Sequence, residues 1–189
     1  EEGRVTGRAI GEDLTLDKIL FKNPVKQPAL FMRKSVLKKL GHLREDLHFV
    51  MDWEFWLRIV VNNIKGDYIS DKVFANFRMM PGTKTVESGS KFLYEWKQVL
   101  SEYHKNDLFS NKDVPFVVKA ISCITGDWYL SRMRDKHLAK GLLSIVNNFR
   151  KALFYNPMLW INKGAWIFFF GRLLNVKINR EGRFKKNEK

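Results

Sequence analysis

The sequence predicts an α/β unit over residues 1–88 followed by a mainly α-helical extension, and three observations carry that prediction. Short apolar runs of strand length, bounded by turn residues, occur only before about residue 80. Beyond residue 90, apolar residues recur at helical spacing with few breakers. Between the two, Pro81-Gly82 opens a polar loop that runs through Gly89, which sets a boundary at residues 86–90.

Leu14–Phe21 places leucine and isoleucine close to helical spacing, and Asn23-Pro24 ends the pattern. Ala29–Met32 is a short apolar run expected to be a strand. In Lys34–Leu40 the residues Val36, Leu37 and Leu40 suit one face of a short helix that Gly41 closes. Asp52–Val61 sets Trp53, Trp56, Leu57 and Val60 at i, i+3, i+4 and i+7, a buried helical stripe. Asp67–Ile69 and Val73–Arg78 read as two further short strands. Helices are then expected over Lys91–Tyr103, Val114–Arg134 and Leu138–Tyr155, the last stopped by Asn156-Pro157. The extension divides into a helical part, 89–157, and a basic, aromatic-rich tail, 158–189.

With 189 residues and 45% apolar content, the chain is long enough for one domain with a sizeable core. It begins Glu-Glu-Gly, with no basic and apolar leader in its first twenty residues, and further chain is expected before it. The single cysteine, Cys123, cannot form an internal disulfide; it reads as a small buried hydrophobe and fits a reducing compartment. His42, His48, His104 and His137 show no paired ligand spacing, so surface or packing roles are expected.

The net charge of +14 is unevenly spread. From Arg132 to the end, fourteen Lys or Arg face only Asp135, Glu181 and Glu188, a local excess of +11. Such a field attracts anionic membranes, nucleic acid or phosphorylated ligands alike. The neighbouring residues favour a membrane surface. Lys163 and Arg172 bracket the uncharged run GAWIFFFG, far short of the roughly 20 residues of a membrane span. Lying in the interface, Trp160, Trp166 and Phe168–Phe170 would insert while the basic flanks meet headgroups; the alternative is an apolar helix packed on its own domain. Nucleic-acid binding is disfavoured because the aromatics form one apolar block and do not interleave with the basic residues.

Asp52 is the residue that bears on chemistry. At the expected helix start, free N–H groups and the helix dipole favour its ionised form, whether it serves as a cap or as a general base. Trp53, Trp56 and Phe49 stand close enough in sequence to wall a cleft or stack on a sugar ring.

Four blocks surround it: Asn23, Gln27, Pro28, Phe31 and Arg33; Gly41, Leu43, Glu45 and Leu47; Met51, Asp52, Glu54, Trp56, Leu57 and Arg58; Phe77, Arg78, Lys84 and Thr85. Their order and gaps resemble the acceptor-side half of the family 2 glycosyltransferases, of GT-A fold, and the resemblance covers residues 1–88. It implies an incomplete GT-A-like half domain. It also implies inverting transfer of a sugar from a nucleotide-diphosphate donor to an acceptor hydroxyl, with Asp52 as the base. The partners would be a nucleotide sugar and a glycan or lipid-linked acceptor, as in surface polysaccharide or glycolipid synthesis. The site would lie at the cytoplasmic, inner face of the plasma membrane, with the protein peripheral. Gln27, Pro28, Trp53, Glu54, Arg78 and Lys84 are the implied substrate-binding positions, although Glu54 and Arg58 also stand at the i, i+4 spacing of a structural ion pair. A divalent metal, Mg or Mn, is expected for the whole enzyme.

Two departures bear on that expectation. No Asp-x-Asp occurs in the chain, so the donor half is not represented and the chain alone is expected to be inactive. Met80 stands where many relatives place a histidine, and a thioether is a poor ligand for a hard cation. Asp52 and Glu54 project about 200° apart on a helix and would not chelate one ion. The reading from another class is a non-catalytic basic module that binds anionic membrane or nucleic acid, with Asp52 only a cap.

Overall fold

The computed structural model describes residues 7, 10–69, 72–76, 89–134 and 141–174. Among them are seven α-helices: α1 (Leu16–Ile19), α2 (Lys34–Leu40), α3 (Met51–Val61), α4 (Gly89–Lys105), α5 (Val114–Arg134), α6 (Leu142–Tyr155) and α7 (Lys163–Leu173). Two 3-10 turns, Gln27–Ala29 and Pro157–Ile161, join them.

The expected α/β class is overturned: the described residues are helical, with no strand or sheet. Ala29 closes a 3-10 turn and 30–32 run on as irregular backbone, as do 67–69 and 72–76. The physical reason is that a strand is held by ladder bonds to a neighbour, and a short β-prone run without one gains nothing from pairing. Phe31 and Phe74, from two of the expected strands, do meet edge to face at 5.7 Å, but only through their rings. The helix expected over Leu14–Phe21 contracts to Leu16–Ile19, tied down by the Trp53 indole N–H donating to the Ile19 carbonyl at 2.9 Å.

Two hydrophobic cores organise the molecule. The first gathers Ile19 and Leu20, Leu47 and Val50, Trp53, Phe55, Trp56, Leu57 and Ile59 of α3, Val99, Leu100 and Tyr103 of α4, Phe109, and Val117, Ala120 and Ile124 of α5. It is thus shared by residues on both sides of the 86–90 boundary. The second gathers Leu130 and Met133 of α5, Ile145, Phe149, Ala152 and Leu153 of α6, Leu159, and Ala165 of α7. Helix α5 is long enough to serve both.

Helices α5 and α6 cross closely at Gly126, where a Cβ would lie 2.4 Å from Asn156 Cβ and 2.8 Å from the Ala152 carbonyl oxygen. Only glycine fits there. At the other end, Gly41 (φ 80°) turns the chain out of α2 in the left-handed region.

Helix α7 divides the aromatic block expected to enter a membrane. Trp166, Phe168 and Phe169 are partly buried against the second core, with the Phe149 and Phe169 rings stacked at 4.1 Å. Trp160 and Phe170 remain exposed. No helix among the described residues is long and apolar enough to cross a membrane, and 175–189 of the basic tail lie outside them.

Candidate functional site

Helix α3 is buried along most of its length because its apolar residues surround it: Trp53, Phe55, Trp56, Leu57 and Ile59 all enter the core. Asp52 is the second residue of this helix and stays half-buried. Its Oδ1 accepts from the Trp53 backbone N–H at 2.7 Å, and Oδ2 takes no hydrogen bond among the described residues. The N-cap is Val50, which has no side-chain cap. Asp52 is therefore not the cap.

The turn that leads into α3 is held by Glu95 of α4. Its Oε1 accepts from the His48 N–H at 3.1 Å, and its Oε2 from the N–H groups of Phe49 at 2.7 Å and Val50 at 3.2 Å. Three successive amides converge on one carboxylate and fix the turn that delivers Asp52.

A second tie lies alongside. Arg44 holds Asp46 through Nε (3.1 Å) and Nη2 (2.6 Å), and its Nη1 reaches both oxygens of Glu102 on α4 at 2.9 Å. The hydrogen bonds and positive charge of the Arg44 guanidinium hold the Asp46 carboxyl below its ordinary range.

Glu54 belongs to a third tie. It is 1% exposed, ion-paired with Arg58 at 2.9 Å, and accepts from the Tyr103 hydroxyl at 2.5 Å. Arg58 in turn donates to the carbonyls of Leu40 and His42 at 2.8 Å, which fastens the end of α2 to α3. Burial, followed by the bond to Glu54, pushes the Tyr103 phenol well above its ordinary value.

The implied substrate-binding positions thus separate. Glu54 is committed to the interior, and Trp53, 2% exposed with its ring 4.8 Å from that of Trp96, has no face to offer a sugar. Trp56 is buried as well. Gln27 and Pro28 are exposed on the first 3-10 turn, and no hydrogen bond joins them to Asp52 among the described residues. Arg78 and Lys84 lie outside the described residues.

Phe49, three residues before Asp52, lines a groove of about 330 Å³ with Ser90, Lys91, Tyr94, Glu95, Trp128 and Arg132. The Arg132 guanidinium lies over the Trp128 ring at 4.8 Å, and its Nε is buried without a partner among the described residues. Lys97 covers the same ring at 5.2 Å, and Lys91 stands over Phe49 at 5.7 Å. A smaller space of about 270 Å³ lies on the other side of Glu95, lined also by Arg44, Asp46, Leu47, Gln98, Val99 and Glu102.

No family model, curated protein or solved structure matches this chain. What the site can do is read from its own geometry.

Among the described residues no donor set fits the expected Mg or Mn ion. No group of three or more His, Cys, Asp or Glu that could hold a metal occurs among the described residues. Of the two acids of α3, Asp52 and Glu54, the second is held by Arg58 and Tyr103. Glu95, Tyr103 and the groove beside Phe49 had no sequence signal, since each depends on α4 or α5 meeting α3 or the turn before it from more than 40 residues away.

Proposed function

We propose that this chain supplies the acceptor side of an inverting sugar transfer, with Asp52 as general base and a separate nucleotide-sugar-binding unit supplying the donor. The acceptor hydroxyl gives its proton to the Asp52 carboxylate as its oxygen bonds to the anomeric carbon. The bond from that carbon to the diphosphate oxygen breaks, and the diphosphate leaves with the electron pair. No second acid is needed, because a diphosphate is already a good leaving group.

The observation that carries this reading is the state of Asp52: a half-buried carboxylate in the first turn of a buried helix, with one oxygen on the Trp53 N–H and the other without a hydrogen bond among the described residues. A carboxylate with one oxygen so placed can take the proton of a hydroxyl brought against it. The order of the four sequence blocks supports it independently. The groove beside Phe49 has the volume and the aromatic walls that suit a glycan, and its cations suit one linked to a phosphorylated lipid. Glu54 and Trp53 act in this reading by holding α3, and do not touch substrate.

In this reading the protein works at the cytoplasmic face of the plasma membrane, bound peripherally. Support comes from the basic excess after Arg132 and from exposed Trp160 and Ile161. The test is sugar transfer by the full-length gene product. Asp52→Asn is expected to lower kcat at least ~100-fold with fold and donor affinity kept, in line with the usual contribution of a general base; near-normal turnover would remove Asp52 from the role.

A further inference from the structure

Helix α6 is apolar on two faces. Its inner face, Ile145, Phe149, Ala152 and Leu153, is consumed by the second core. Its outer face carries Leu143, Val146, Arg150 and Phe154 at i, i+3, i+7 and i+11, one stripe along the helix. Leu143 is 86% exposed and Phe154 76%. The 3-10 turn that follows directly adds Met158, Trp160 and Ile161, with Ile161 76% exposed. An apolar surface of this extent, uncovered among the described residues, marks a binding face.

Charge decides what covers it. Residues 141–174 contain no Asp or Glu at all, against Arg150, Lys151, Lys163 and Arg172. A second copy of the chain meeting this face symmetrically would set Arg150 against Arg150, with no carboxylate on either side to offset the repulsion. Anionic headgroups over an acyl region satisfy both parts of the surface, because an arginine within an apolar stripe can bury its stem and lift its guanidinium to a phosphate.

We infer that α6 and the turn after it lie in the plane of an anionic bilayer surface, with Leu143, Phe154 and Ile161 inserted and Arg150 and Lys151 at headgroup level. The inference rests on the membrane reading above but relocates the contact, from the aromatic block of α7, half of which packs inward, to the outer face of α6. It stands apart from sugar transfer.

The test is sedimentation of the full chain with vesicles of phosphatidylcholine alone or with about a third phosphatidylserine, at low and near-physiological salt. Binding is expected only to the anionic vesicles, weaker at higher salt, with a blue shift of tryptophan emission that Trp160→Phe diminishes. Leu143→Ser with Phe154→Ser is expected to reduce partitioning by ~10-fold or more, and circular dichroism checks that helix content is kept, as these side chains are exposed. Arg150→Gln is expected to flatten the salt dependence. If the double variant binds like the parent while loss of 175–189 abolishes binding, the α6 assignment fails and the tail reading survives. If neither vesicle is bound, both fail. A parent dimer that the double variant loses would give the face to a second copy and overturn the inference.

Discussion

At the scale of single residues, burial pushes the Asp127 carboxyl above its ordinary value of 3.8, against the opposing bond it accepts from Asn156 Nδ2 at 2.9 Å. A carboxyl that holds its proton more tightly folded than unfolded contributes stability in full below the unfolded value, and that stability is lost as pH rises through the folded one. Charge on Asp127 is therefore disfavoured in the folded state. Asp127→Asn keeps an oxygen for Asn156 and brings an amide toward Asn156 Oδ1, which is buried without a partner among the described residues. The variant is expected to be more stable by about 1 kcal/mol at neutral pH, the gain fading below about pH 4. Urea midpoints at the two pH values measure this, and equal stability at neutral pH would refute it.

At the scale of elements, Glu95 is the pin between α4 and the turn before α3. In Glu95→Gln one acceptor oxygen becomes an NH₂ group facing backbone N–H donors, so a cost of about 1–3 kcal/mol is expected. Hydrogen exchange should show faster loss of the His48, Phe49 and Val50 amides, with α7 unchanged. None of this contact is written in the local sequence, whereas much of the helical content is. The Trp53, Trp56, Leu57, Val60 stripe identifies α3. Lys34–Leu40 with Gly41, and Val114–Arg134, coincide with α2 and α5. Helical periodicity is a property of one segment and its burial, and so is legible. A strand is a relation between two segments, which the runs at 29–32, 67–69 and 73–76 could not declare. The same stripe that located α3 also removed Trp53 from the candidate site: a residue at a core position of the helix has its ring inside. Asp52 itself was legible as an acid at a helix start, but the turn before it is held by Glu95, which was not.

At the scale of the whole molecule, two cores share one helix. Val117, Ala120 and Ile124 anchor the near half of α5 in the first core, and Leu130 and Met133 anchor its far half in the second. Met133 is fully buried, so Met133→Ala is expected to cost about 2–5 kcal/mol. Because the void opens in the second core, native-state hydrogen exchange is expected to report the loss first in α6 and α7, with α3 amides retaining most of their protection. Uniform loss across all helices would show instead that α5 fuses the cores into a single cooperative unit. The crossing at Gly126 has a bearing beyond stability. A position where even a methyl group would strike backbone atoms of the neighbouring helix admits one amino acid, and Asn156 opposite it is constrained in turn by Asp127. Among chains that inherit this arrangement, the pairing of a glycine in α5 with an asparagine closing α6 is expected to persist after the aromatic runs have drifted.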